Sequence, residues 1–188
     1  MRLLYIITKY LTFPGSYMRC VWEHITCRIL KLMVEPAGYM RLDEACGHVE
    51  HSLAKSQFAA YLIATGPGFM NFNMGLVFFF FGYINVFQLG ITPYENVVMF
   101  IIYIISMYIG VSMLCCLFPL TEDILNFWDI AYSKSAKKTV GGKAADSVGK
   151  VLGFPFAAVT RLGAFLEKNC IIFILWVAFI VWQCIAIF

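Results

Sequence analysis

Apolar and polar positions divide the chain into four blocks. In the first, Met1 to His51, a short apolar helix over Met1–Leu11 is followed by a break at Phe13-Pro14-Gly15, after which Ser16 can cap a second helix. From Tyr17 to Met33, Met18, Val21, Trp22, Ile25, Ile29, Leu32 and Met33 recur at three- and four-residue intervals, the spacing of one helical face. Ser16, Arg19, Cys20, Glu23, His24, Cys27, Arg28 and Lys31 fall on the opposite face, and Glu35-Pro36-Ala37-Gly38 ends the helix. The second block, Phe58–Leu120, carries no charge between Lys55 and Glu95, enough chain for more than one membrane pass at roughly 20 residues each. Gly66-Pro67-Gly68 predicts a break within it, with a helix following over about residues 69–89. Thr92-Pro93-Tyr94-Glu95 has the signature of a capped helix start, and it opens the strongest transmembrane run, Val97–Leu117.

The third block restores charge with Glu122, Asp123 and Asp129, then passes into a stretch with lysines at 134, 137, 138, 143 and 150 against Asp146 alone. That stretch reads as an exposed basic loop, cytoplasmic by the positive-inside rule. The fourth block, Val151–Phe188, is interrupted at Arg161 and Glu167-Lys168 and predicts an interfacial or tilted helix before a final span from about Asn169.

Composition supports a membrane assignment. Hydrophobic residues make up 61% of the 188 and charged residues 13%, about half the charged share of a soluble domain, and the mean hydropathy is +0.79. The net charge of +3 is too small and too dispersed for a nucleic-acid surface. The seven cysteines lack the spacing of a disulfide framework and read as reduced, mostly packing residues. The predicted fold is an all-α polytopic membrane bundle of about four spans with an N-terminal amphipathic helix. It forms a single domain: 1–52 as a polar-cluster region, 53–133 as the transmembrane core, 134–150 as the loop, and 151–188 as C-terminal membrane helices. The expected partners are the lipid bilayer and other membrane proteins, with no nucleic acid.

Candidate chemistry gathers near the N-terminus. All three histidines lie between His24 and His51, close to Cys20, Glu23, Cys27, Cys46 and Glu50. Read as a helix, Asp43–Ser56 puts His48 and His51 on one face and Cys46 with Glu50 on another. Zinc takes such donors, four in a structural site and three plus water in a catalytic one. The spacing has neither the paired C-x-x-C of structural zinc nor the H-E-x-x-H of zincins. A hydrogen-bonded polar seam between an interfacial helix and the bundle accounts for the same residues. Asn71, Asn73 and Asn85 read as interhelical hydrogen-bonding groups.

"FPGSYMRCVWEHITCRIL", the apolar "GPGFMN" and "FPLTED" together resemble the layout of site-2-protease-like intramembrane zinc metallopeptidases. In that superfamily a membrane helix carries H-E-x-x-H, a second span carries G-P-x-x-N, and a later aspartate is the third ligand. Gly66-Pro67-Gly68-Phe69-Met70-Asn71 fits the second motif and Asp123 stands where the third is expected. Arg19, Cys20 and Glu23 occupy the H-E-x-x-H positions, and a guanidinium cannot ligate zinc. The resemblance therefore implies a divergent member without ordinary peptidase chemistry, acting as a binding or structural subunit. The alternative is a metallopeptidase with rearranged ligands, in which Glu23, His24, His48, His51, Cys46 and Asp123 are the metal candidates and Glu23 or Glu50 the base. A small channel or transporter subunit ranks last.

Overall fold

The uncharged stretch after Lys55 folds as one long helix. In the computed structural model, which describes residues 2–35, 39, 48–52, 54, 57–94, 96–120, 123–125, 127–128, 155 and 158–187, the helices are α1 (Arg2–Leu11), α2 (Phe13–Ile29), α3 (Gln57–Tyr83), α4 (Val97–Leu114), α5 (Ala158–Lys168) and α6 (Ile171–Ile187). A π-helical turn, Ile84–Gln88, extends α3. The described residues contain no strand beyond one isolated bridge between Val34 and His51. The loop 134–150 lies outside the described residues.

Two helices are long and apolar enough to cross a membrane, α3 with its π turn and α4. The α5–α6 pair, bent by 70°, adds a third if it counts as one span. These helices mark an integral membrane protein, with two to three spans among the described residues where the pattern predicts about four.

Helices α3 and α4 form an antiparallel hairpin held in register by glycine. Gly68, Gly75 and Gly82 recur every seven residues and face Leu117, Gly110 and Tyr103, which recur every seven in the opposite direction. A Cβ on Gly68 would lie 1.9 Å from the Leu117 carbonyl oxygen, and one on Gly82 would lie 2.4 Å from that of Tyr103. Small residues let membrane helices approach until their backbones touch, which replaces the hydrophobic drive that lipid removes. Beside this seam Phe79, Met107, Val111 and Leu114 pack with Trp176, Phe179 and Ile180 of α6.

Three sequence expectations change. Pro67 does not break the apolar stretch: α3 runs through it with Pro67 buried. A proline costs its helix one hydrogen bond, and Gly66 and Gly68 on either side add no steric bulk of their own to the turn. The break before α2 falls at Thr12, so Pro14 and Gly15 sit in the first turn of the helix, where a missing N–H does no harm. Helix α4 starts four residues later than Thr92-Pro93 suggests, with the Asn96 side chain accepting from the Met99 N–H at 3.1 Å.

Helix α2 is inside out by the standards of a soluble helix. Gly15, Ser16, Arg19, Cys20, Glu23 and Cys27 are its buried residues, whereas Phe13, Tyr17, Ile25 and Ile29 are exposed. It runs antiparallel to α3. Its start is tied to mid-α3 by Asn71, and its Cys27 end packs with Ala59, Ala60, Ile63 and Phe127.

Candidate metal centre

Burying the polar face of α2 carries Glu23 into the protein, where its side chain meets residues from two other segments. The chain after Met33 returns as an extended piece, and Glu35 N–H donates to the Glu50 carbonyl while Ser52 N–H donates to that of Met33. This pairing, not the helix considered for Asp43–Ser56, holds His48 and His51. Asp123 comes from the short helical segment after α4. One donor atom from each of Glu23, His48, His51 and Asp123 lies within 4.8 Å of all the others.

The spacings are uneven in an informative way. His48 Nδ1 is 3.5 Å from Asp123 Oδ2, and His51 Nε2 is 3.5 Å from Asp123 Oδ1. Donors at about 2.1 Å from one zinc ion in a tetrahedron lie roughly 3.4 Å apart. Glu23 Oε1 instead sits 2.6 Å from His48 Nδ1 and 3.8 Å from His51 Nε2. Two donors on one such ion can be at most about 4.2 Å apart, so a set spread over 4.8 Å must close by at least roughly 0.6 Å to hold one.

Hydrogen bonding within the cluster is incomplete. Glu23 Oε1 and Oε2, His48 Nδ1 and His51 Nε2 are all buried and, although they approach one another as ion pairs, make no hydrogen bond of acceptable geometry. Buried groups of this kind are rare because each costs about 1–3 kcal/mol, and a bound ion relieves the cost. His51 is also oriented from behind: its Nδ1 lies 3.0 Å from the Ser52 carbonyl oxygen, which can only accept. That contact puts the proton on Nδ1 and leaves the Nε2 lone pair facing the carboxylates, the outer-sphere pattern of metal-bound histidine. With neutral imidazoles the set carries a charge of −2, which a divalent cation neutralises. The residues fit such an ion.

Without metal, the same carboxylates hold protons on the histidines. Asp123 lifts the His51 pKa to about 9 against the opposing effect of burial. Burial lowers the His48 pKa, but Glu23 and Asp123 outweigh it and leave it raised.

The other candidates fall elsewhere. His24 is not in the cluster: its Nε2 accepts from Arg28 Nε and its Nδ1 meets the Tyr39 hydroxyl, each at 2.9 Å. Consecutive helical residues point about 100° apart, so adjacency to Glu23 turns His24 away. Glu50 is exposed and lies outside the group of possible metal donors. Cys46 lies outside the described residues. Cys20 is buried with its thiol 3.6 Å from the Tyr39 carbonyl, and the described cysteines are free thiols.

One buried group was not anticipated. Glu167 of α5 pairs with Lys9 of α1, lies 3.7 Å from Arg19 NH1, and accepts from the Phe118 N–H at 2.9 Å. Arg19, four residues before Glu23 on α2, thus stands between two buried anionic centres. The signal available in the sequence is that lone ionisable residues in membrane helices turn inward and pair.

Asn71 is fully buried and donates to the carbonyls of Gly15 and Cys116, each at 3.0 Å, fastening α2, α3 and the end of α4. Asn73 and Asn85 donate only to carbonyls of their own helix turn.

No protein-family model, curated protein or solved structure matches the chain.

Proposed function

We propose that this is an intramembrane zinc metallopeptidase with rearranged ligands, in which His48, His51 and Asp123 bind the metal and Glu23 is the general base. The observation that supports it is the convergence of Glu23, His48, His51 and Asp123, whose buried donor atoms face one another with incomplete hydrogen bonding. Two imidazoles, an aspartate and a glutamate are also the donor complement of the superfamily that the sequence resembles. His48 and His51 each lie 3.5 Å from an oxygen of Asp123, which bridges them, and in this reading Glu23, 2.6 Å from His48 Nδ1, is assigned the proton-accepting role. Zinc held there supplies Lewis acidity, polarising a peptide carbonyl and making water acidic near neutral pH. Ser52 keeps His51 in the ligating tautomer, and Arg19 offsets the carboxylate charge.

In this reading α2 lies within the bilayer beside α3 and α4, because its exposed Phe13, Tyr17, Ile25 and Ile29 suit lipid and its polar face is covered. With α6 it brings the bundle to four membrane helices. The second reading is a noncatalytic subunit with a closed structural zinc site, and the presence of four protein donors favours it.

The test is cleavage of labelled transmembrane peptides by the purified chain in detergent. Hydrolysis that stops on chelation, returns with zinc, and is absent in Glu23→Gln supports the peptidase. Zinc retention without cleavage supports the structural subunit.

A further inference from the structure

A second site lies beside the short segment that carries Asp123. A cleft of about 400 Å³ opens between Ile124, Leu125 and Trp128 on one wall and Arg161, Phe165 and Lys168 of α5 on the other. Arg161 and Lys168 are seven residues apart, so they share a face of α5 about 10 Å apart along its axis, a gap that two long side chains close. Both are exposed, and among the described residues neither has a carboxylate within ion-pair distance. The anion of α5, Glu167, is buried and already paired with Lys9.

The setting narrows the ligand. Helix α5 is bent by 70° from α6, so when α6 crosses the bilayer α5 lies near the membrane plane. Thr160, Gly163, Ala164 and Glu167 face the protein, while Val159, Leu162 and Phe165 are exposed. Arg161 and Lys168 therefore sit on the edge of an amphipathic interfacial helix, with apolar surface below them. Guanidinium and ammonium groups recognise phosphate oxygens, and Leu125, Trp128 and Phe165 offer a wall for acyl chain.

We infer that this cleft binds the headgroup of an anionic phospholipid, the phosphodiester held by Arg161 and Lys168 and an acyl chain laid against Trp128 and Phe165. The metal centre is not required for it, and the two ideas fail separately.

Native mass spectrometry of the full chain, released from micelles containing equal amounts of phosphatidylglycerol and phosphatidylcholine, tests it. The expected result is one phosphatidylglycerol retained per chain, at least tenfold over phosphatidylcholine, with the preference lost in Arg161→Gln/Lys168→Gln. Both changes are at exposed positions, and unchanged thermal unfolding of the variant checks that it is folded. Equal retention of both lipids, or selective retention that survives the double substitution, overturns the assignment. Displacement of the lipid by millimolar inorganic phosphate assigns the pair to a soluble anion and overturns it as well.

Discussion

His48 Nδ1 stands 2.6 Å from Glu23 Oε1, although one residue comes from an extended segment and the other from the middle of α2. Neither atom has a well-formed hydrogen bond. Two buried groups this close must share a proton or yield to a cation. The proposed function rests on the second outcome.

The division of roles predicts how Glu23 responds to substitution. Glu23→Gln keeps three donors and removes a proton acceptor. It should retain zinc at near-wild-type stoichiometry while losing hydrolysis by at least 100-fold, in line with general-base contributions of about 10²–10⁴. Zinc content and cleavage measured on one preparation check this. Loss of zinc in Glu23→Gln would show that all four donors ligate, as in a closed site.

Proton competition gives a pH dependence. Each histidine must lose a proton to bind metal, and His51 holds its proton up to about 9 in the metal-free protein. Apparent zinc affinity should therefore fall as pH drops from 9 towards 6.5. The metal-free protein should move the opposite way. Its folded histidine pKa values exceed the unfolded ones, so their stabilisation is full below about pH 6.5 and is lost as pH rises through 9. Zinc competition titrations and thermal unfolding across this range test both signs. A zinc affinity flat from pH 6 to 9 would contradict the assignment.

The helix hairpin predicts a contrast between neighbours. Gly66→Ala meets nothing nearer than 3.7 Å, whereas Gly68→Ala drives a methyl to 1.9 Å from the Leu117 carbonyl oxygen. The first should leave unfolding unchanged or slightly raised. The second should destabilise by about 1–3 kcal/mol. Equal behaviour of the two variants in detergent unfolding would contradict the register.

Asn71→Ala should cost a further measurable amount, because it leaves two buried carbonyls, of Gly15 and Cys116, without their donor. Unsatisfied groups of this kind cost about 1–3 kcal/mol. Asn73→Ala, which breaks only a contact within its own exposed turn, should be near neutral.

Much of this was legible in the letters, and the rest was not for identifiable reasons. Charge-free runs announce α3, α4 and α6, because the bilayer demands apolar length. Of the ionisable residues singled out in the sequence, Glu23, His48, His51 and Asp123 do come together. Helical periodicity misplaces His24 through adjacency to Glu23, and suggests a helix around His48 and His51 where backbone pairing with residues 33–35 gives an extended strand-like piece. Such pairing depends on a distant segment, which no local pattern encodes. The Lys9–Glu167 pair joins opposite ends of the chain, and the seven-residue glycine register shows only when both helices are written antiparallel.

The most direct test is the metal content of the purified chain, by elemental analysis, beside His48→Ala/His51→Ala. The account predicts one zinc per chain in the wild type and less than a tenth of that in the double variant, both preparations being folded by thermal unfolding. A wild-type chain that takes up no zinc when supplied with it, or a double variant that retains the full amount, would contradict the metal centre.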